Sequence, residues 1–126
     1  MPDYVRGIGL LDLNTKQVVW IPMDGEHALS GIDGLYAVGN TLLATQNGTS
    51  PERVVRFAVN ASKTRVLSES IIERATPTLG DPTHGVIVGD YFYYIANSGW
   101  NLLDEHGNLL EGKRLPVSSV MRAIIH

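Results

Sequence analysis

The sequence predicts an all-β protein built from a repeated group of short strands. Segments such as "LYAV", "TLLATQ" and "RVVRFAV" are rich in Val, Leu, Thr and Tyr, and clusters of Gly, Asn, Ser and Pro separate them. This pattern is typical of strands joined by turns, and helix-length periodic segments are nearly absent. The stretch "DGLYAVGNTLLATQNG" (33–48) also returns as "HGVIVGDYFYYIANS" (84–98).

The two copies define a period of about 50 residues. Four pairs of matching residues lie 50 positions apart: Val38 and Val88, Gly39 and Gly89, Asn40 and Asp90, and Asn47 and Asn97. Gly34 and Gly85 also match, with a displacement of one residue. A period of this size is typical of one β-propeller blade or one solenoid unit, and the strand-rich segments favour the four-stranded meander of a blade. Glycine tolerates the positive φ that a type II′ hairpin turn needs at its first position, so Gly39 and Gly89 are interpreted as turn residues.

The remaining predicted strands fit the same blade repeat. "VVRFAV" (54–59) resembles "VMRAII" (120–125) at a spacing of 66, so the second copy holds 16 additional residues, which fall in a loop at 99–118. Near the start, "RGIGLLDLNTKQVVWIPM" resembles "RFAVNASKTRVLSESI", which pairs Asn14 with Asn60. We therefore predict strands 3 and 4 of one blade in residues 1–24, a complete blade in 25–74, and strands 1 to 3 of a blade in 75–126.

About two blades are too few to close a ring. Six blades need roughly 300 residues, and a blade buries both faces of its sheet only when neighbours stack on it. We expect either the carboxyl-terminal part of a longer propeller or a homo-oligomer. A trimer that shares six blades is the simplest ring, because head-to-tail contacts between identical subunits close by rotation.

Composition restricts the partners. The 126 residues carry a net charge of −3 and are 44% hydrophobic, which argues against a nucleic-acid-binding surface or a polybasic membrane patch. No apolar run reaches the roughly 20 residues of a membrane span, and "MPDYVRGIGL" lacks the pattern of a secretory signal. We expect a soluble chain of undetermined localisation. Because cysteine is absent, any metal would need oxygen or imidazole ligands.

The segment "GIDGLYAVGNTLLATQNGTSPERVVRFAVN" resembles the blade of the gluconolactonase/regucalcin-like six-bladed propellers. The resemblance covers Ile32 to Asn60 well and Asp81 to Ser98 more loosely. It implies a divalent cation, calcium or zinc, held by a glutamate, two asparagines and an aspartate from different blades, which polarises a sugar lactone for attack by water. Asp33 in "IDGL" matches the aspartate ligand of that family. No segment matches the early glutamate or the two asparagine-bearing blades, so Asp33 alone is carried over.

The blade frame also places several polar side chains on one rim. The loop entering strand 1 and the loop after strand 2 lie at the same end of a blade, so six residues are candidates for binding a cation or substrate: Asp33, Gln46, Asn47, His84, Asn97 and Trp100.

Each candidate also has a structural interpretation. Asp33 can cap the turn before Gly34 instead of binding metal. His84 can be a ligand, a proton carrier or a hydrogen-bonded rim residue. Asn47 and Asn97 are typical of turns that end strands, and Trp100 can cover a ligand or pack on its own loop.

Two functional hypotheses follow. The first is a gluconolactonase-like, metal-dependent hydrolase of a lactone or related small ester, or a fragment of one, with Asp33 as metal ligand and catalytic residue. The alternative is a non-catalytic propeller scaffold that binds a small ligand or protein partner at its rim. A third hypothesis is that the chain comes from a truncated reading frame and has no function of its own. Ser98 or Ser30 with His84 and Asp81 has the composition of a hydrolase triad, but no Gly-x-Ser-x-Gly elbow accompanies it.

Overall fold

A computed structural model describes residues 1–125. The chain is all-β, as predicted, and within these residues it forms ten strands in three antiparallel sheets together with one turn of 3₁₀ helix. None of the helical structure in residues 1–125 is long and apolar enough to cross a membrane.

The first sheet contains three short strands in the order β1-β2-β3. These strands are β1 (Pro2–Asp3), β2 (Gly7–Leu11) and β3 (Val18–Trp20). The hairpin between β2 and β3 is closed by the Asp12 carboxylate, which accepts hydrogen bonds from the backbone N–H groups of Asn14 and Thr15. This side-chain capping is the usual reason for aspartate in a turn.

The second sheet is a four-stranded meander in the order β4-β5-β6-β7. Its strands are β4 (Ile32–Val38), β5 (Thr41–Gln46), β6 (Arg53–Val59) and β7 (Val66–Arg74). The β6–β7 hairpin is closed by Asn60, whose side-chain oxygen accepts hydrogen bonds from the backbone of Thr64 and Arg65. Asp12 and Asn60 therefore hold equivalent hairpins, so the structural partner of Asn60 is Asp12 and not Asn14, which the sequence match predicts.

The third sheet has three strands in the order β8-β9-β10. They are β8 (Gly85–Val88), β9 (Tyr91–Asn97) and β10 (Ser119–Ile124), and a 3₁₀ turn at Trp100–Leu102 follows β9. The predicted insertion, 99–118, connects β9 to β10. Gly39 and Gly89 have φ of 56° and 55°, and Val38 pairs with Thr41 as Val88 pairs with Tyr91. The repeated segments thus form hairpins with the same register.

The core lies on both faces of the second sheet. One cluster joins it to Ile8, Ile21 and Leu29 of the first sheet and its connection, while the other joins Leu43 and Val54 to the third sheet. Phe57 and Phe92 are fully buried, one in each cluster. The three sheets therefore pack face to face with the second sheet in the middle.

Gly85 is required by the packing of the third sheet. A Cβ atom at this position would lie 2.4 Å from the carbonyl oxygen of Tyr93 and 2.6 Å from the ring of Phe92. We expect Gly85→Ala to lower the free energy of unfolding by about 1–3 kcal/mol, because the backbone must move to accommodate the methyl group. Urea unfolding measures this change. Gly25→Ala is the control, since no atom lies within 4 Å of its added Cβ, and equal effects of the two substitutions would contradict the packing argument.

Candidate functional site

Asp33 lies at an irregularity in β4. Ile32 pairs with Gln46 and Gly34 pairs with Thr45 on β5, so Asp33 is an extra residue without a partner in the ladder. The hydroxyl of Thr45 accepts a hydrogen bond of 2.9 Å from the N–H of Gly34, which stabilises the bulge. Bulges redirect side chains at sheet ends, and this bulge sets the direction of the half-buried Asp33 carboxylate.

Asn47 connects Asp33 to the amino-terminal segment. Its amide nitrogen donates to Oδ2 of Asp33 at 3.3 Å, and its side-chain oxygen accepts a hydrogen bond of 2.9 Å from the hydroxyl of Tyr4. Close backbone contact keeps this region in place, because the N–H of Gly48 donates to the carbonyl of Gly31. Asn47 therefore has both of its polar ends engaged at the end of β5.

Asp81 lies near Asp33 and Asn47, although sequence reasoning did not select it as a site residue. It has a left-handed φ of 58° and is only 8% exposed. Its carboxylate accepts a 2.9 Å hydrogen bond from the N–H of Asn101, and its own N–H donates to the carboxylate of Glu52 at 2.6 Å. Two signals could have identified it: an aspartate directly after glycine and before proline, and a position just before the repeated hairpin.

These residues share an uncompensated negative charge. Burial raises the pKa of Asp81, and the charge of Asp33 raises it further, although hydrogen bonds from Asn101, Ser98 and Asn47 oppose this. Burial also raises the pKa of Tyr4, with added contributions from Asp81, Asp33 and Glu52. Within residues 1–125 the ion pairs join other groups: His27 and Arg53 to Glu69, and His106 to Glu105. We call Tyr4, Asp33, Asn47, Glu52 and Asp81 the acidic rim cluster.

Gln46 lies in the core instead of at the rim surface. Its side chain is fully buried. Its amide nitrogen donates to the carbonyls of Ala28 and Ser30 at 2.8 and 2.7 Å, and its side-chain oxygen accepts a 2.6 Å hydrogen bond from Nε of Arg53. All of these polar atoms are engaged, so the contacts assign Gln46 to holding the 21–31 connection on the second sheet.

The other predicted site residues are spread over the third sheet and its loop. His84 is exposed and lines a shallow depression with Val86, Tyr93 and Val120. Asn97 is half-buried at the end of β9, against Gly80. Trp100 is 66% exposed at the start of the 3₁₀ turn. Of the six candidates, the structure joins Asp33 and Asn47 by a hydrogen bond and adds Asp81 to them.

The acidic rim cluster provides oxygen ligands but few of them. Within the described chain, no group of three or more His, Cys, Asp or Glu side chains is placed to hold a metal ion. Two of its three carboxylates, those of Asp33 and Asp81, adjoin the Asn47 amide, whereas calcium takes six to eight oxygens. The cluster by itself therefore contains too few oxygens to enclose a calcium ion.

Comparison with known proteins identifies no relative. The chain matches no family model, no curated protein and no solved structure.

The raised pKa of Asp81 predicts a specific pH dependence. A proton binds Asp81 more tightly in the native state, so the stabilisation from protonation is complete below the ordinary Asp pKa of 3.8 and is lost as the pH rises through the native pKa. We therefore expect Asp81→Asn to melt at a higher temperature than the unmodified protein at pH 7, and the difference to disappear near pH 3. Asparagine also tolerates the left-handed backbone.

Asp104 supplies a control of opposite sign for this pH dependence. Hydrogen bonds from the backbone, Asn108 first, hold its pKa below 3.8, so Asp104→Asn should not stabilise the protein at pH 7. Melting curves between pH 3 and pH 8 make the comparison. A stability difference for Asp81→Asn that does not change with pH would contradict the electrostatic account.

The buried position of Gln46 leads to a separate prediction. Gln46→Ala leaves Arg53 Nε and the Ser30 carbonyl without partners, and we expect a loss of about 2–4 kcal/mol in the free energy of unfolding. Gln17→Ala, at an exposed glutamine, is the control and should change stability by less than about 0.5 kcal/mol. Unchanged stability in Gln46→Ala would return this residue to the candidates for ligand binding.

Proposed function

We propose that the three sheets are consecutive blades of a β-propeller and that the chain is a unit, or a fragment, of a gluconolactonase-like, cation-dependent hydrolase. The substrate class is a lactone or related small ester. Support for the propeller comes from the face-to-face order of the sheets, the shared hairpin register of the two repeats and the equivalent hairpins at Asp12 and Asn60.

The observation that carries the proposal is that the carboxylates of Asp33 and Asp81 lie on either side of the Asn47 side chain, which hydrogen-bonds to both. The two carboxylates repel each other, which contributes to the raised pKa of Asp81, and a divalent cation would relieve this repulsion. Carboxylate and amide oxygens suit calcium better than zinc, which prefers nitrogen and sulfur ligands. A bound cation supplies Lewis acidity toward an ester carbonyl.

The residues of the chain then have separate roles. Asp33, on its bulge, is the proposed cation ligand and the acceptor of a proton from water. Asn47 positions Asp33 through the 3.3 Å hydrogen bond, and Tyr4 positions Asn47. Water, substrate oxygens and neighbouring blades would supply the remaining ligands, because the cluster alone contains too few.

The test combines calcium binding with lactone hydrolysis. We expect calcium to raise the melting temperature of the unmodified protein, since a ligand at 100 times its Kd stabilises the native state by about 2.7 kcal/mol. Asp33→Asn should abolish this shift and lower hydrolysis of a sugar δ-lactone by roughly 100-fold or more. Glu111→Gln, at an exposed acid outside the cluster, should behave as the unmodified protein does. An equal calcium response in Asp33→Asn and Glu111→Gln would refute the cation site.

A non-catalytic scaffold is the second candidate, and the 99–118 loop favours it. This segment exposes Trp100, Leu115 and Val117, with exposed fractions of 66%, 53% and 90%. Apolar side chains displayed together on a loop are typical of surfaces that bind other molecules. Calcium binding without lactone hydrolysis would support this candidate.

A further inference from the structure

The outer face of the third sheet is apolar and uncovered. Val86, Val88, Ile95, Val120 and Ile124 point to this side and are between 38% and 68% exposed. Residues that alternate with them, including Phe92 and Tyr94, fill the core cluster on the opposite face. A strand sequence that is apolar on both faces is typical of a sheet covered on both sides, because a surface sheet alternates apolar with polar residues.

The internal repeat shows how an equivalent face is covered. Tyr36 pairs with Leu43 in the second sheet as Val86 pairs with Tyr93 in the third. Tyr36 and Leu43 belong to the core cluster that the third sheet completes. The exposed face of the third sheet therefore repeats a face that is buried within this same molecule.

Arginine positions follow the same correspondence. Arg56 pairs with Leu43, and Arg122 pairs with Tyr93. Arg56 reaches across the internal contact and donates a 2.7 Å hydrogen bond from Nη2 to the carbonyl of Ile124. Arg122, on the uncovered face, lies 4.7 Å from the centre of the Tyr91 ring.

The opposite end of the stack offers a complementary surface. On the outer side of the first sheet, Gly9 pairs with Trp20 and Leu11 pairs with Val18. Leu11 and Val18 are 41% and 37% exposed. By the equivalence of the Asp12 and Asn60 hairpins, this side corresponds to the Phe57 and Val59 side of the second sheet, which is buried against a neighbouring sheet.

We propose that a second copy of this chain covers the outer face of the third sheet with the outer face of its own first sheet. The face exposes on the order of 500 Å² of apolar surface, near the upper end for a monomeric protein. Each chain contributes the outer faces of both its first and its third sheet. The surface that these two faces bury together approaches the roughly 800 Å² that a stable complex buries on each partner. Because one chain forms three sheets, two copies in head-to-tail contact bring six sheets into one ring. This arrangement needs two copies, whereas a count of about two blades per chain predicts three.

The first experiment measures mass in solution. Sedimentation velocity at about 10–100 μM should give twice the chain mass of 13.7 kDa. Val120→Lys places a charge on the outer face of the third sheet and should weaken association at least 10-fold, since an unpaired ammonium would be buried. Leu67→Lys makes the same kind of change at a 60% exposed residue of β7, in the second sheet, and should leave the mass unchanged. A monomer at every concentration, or species that grow without limit, would overturn the proposal.

The second experiment tests the head-to-tail arrangement. Leu11→Lys, on the first sheet, should weaken association to the same extent. An equimolar mixture of Val120→Lys and Leu11→Lys should recover the double mass, because one contact in the mixed pair keeps both apolar faces intact. If Leu11→Lys still associates, or if the mixture stays monomeric, the third sheet does not pack on the first. Circular dichroism melting of each variant separates lost association from lost folding, and the substituted residues lie outside the proposed cation site.

Discussion

Burial of both faces of the second sheet is the constraint on which the rest of the structure depends. Its strands are apolar on both sides, with Leu42 and Phe57 facing the first sheet while Leu43 and Val54 face the third. A sheet of this kind cannot lie at a surface without exposing apolar area, at a cost of roughly 25 cal/mol per Å². The molecule is consequently a stack of sheets. The outer faces of its first and third sheets also carry apolar side chains, but no neighbouring sheet within residues 1–125 covers them.

Buried polar contacts give the stack a defined alignment. Glu73 on β7 accepts hydrogen bonds from the hydroxyls of Tyr94, at 2.5 Å, and of Thr76, and burial with this contact raises the pKa of Tyr94. Gln46 and Arg53 tie the connection before β4 to the second sheet. Apolar faces can slide past one another, whereas these hydrogen bonds are satisfied in one arrangement only. They therefore hold in place the segment that leads to Asp33.

Strands and hairpins could be predicted from the sequence because their signals are local. Turn glycines and a 50-residue repeat mark them directly, but the site depends on contacts between distant segments. The bulge at Asp33 and the left-handed backbone of Asp81 leave no periodic signal. His84 shows how a small error in alignment misplaces a site residue. Its backbone carbonyl accepts a hydrogen bond from the N–H of Ile95, and Ile95 is the repeat equivalent of Thr45, which pairs with Gly34. His84 is therefore equivalent to Gly34 and lies one position from the equivalent of Asp33. A shift of one residue turns a strand side chain to the other face.

Association of the stack and cation binding at the rim would influence each other. In the proposed ring each copy would bring the charges of Asp33, Asp81 and Glu52 to the same end of the sheets, and repulsion between these charges would oppose closure. Protons or a cation that neutralise this charge would favour the closed form. By linkage, the closed form must then bind the cation more tightly, in the same proportion. In the proposed assembly the apolar faces would supply the free energy of association, and the rim charge would make that association depend on pH and on divalent cations.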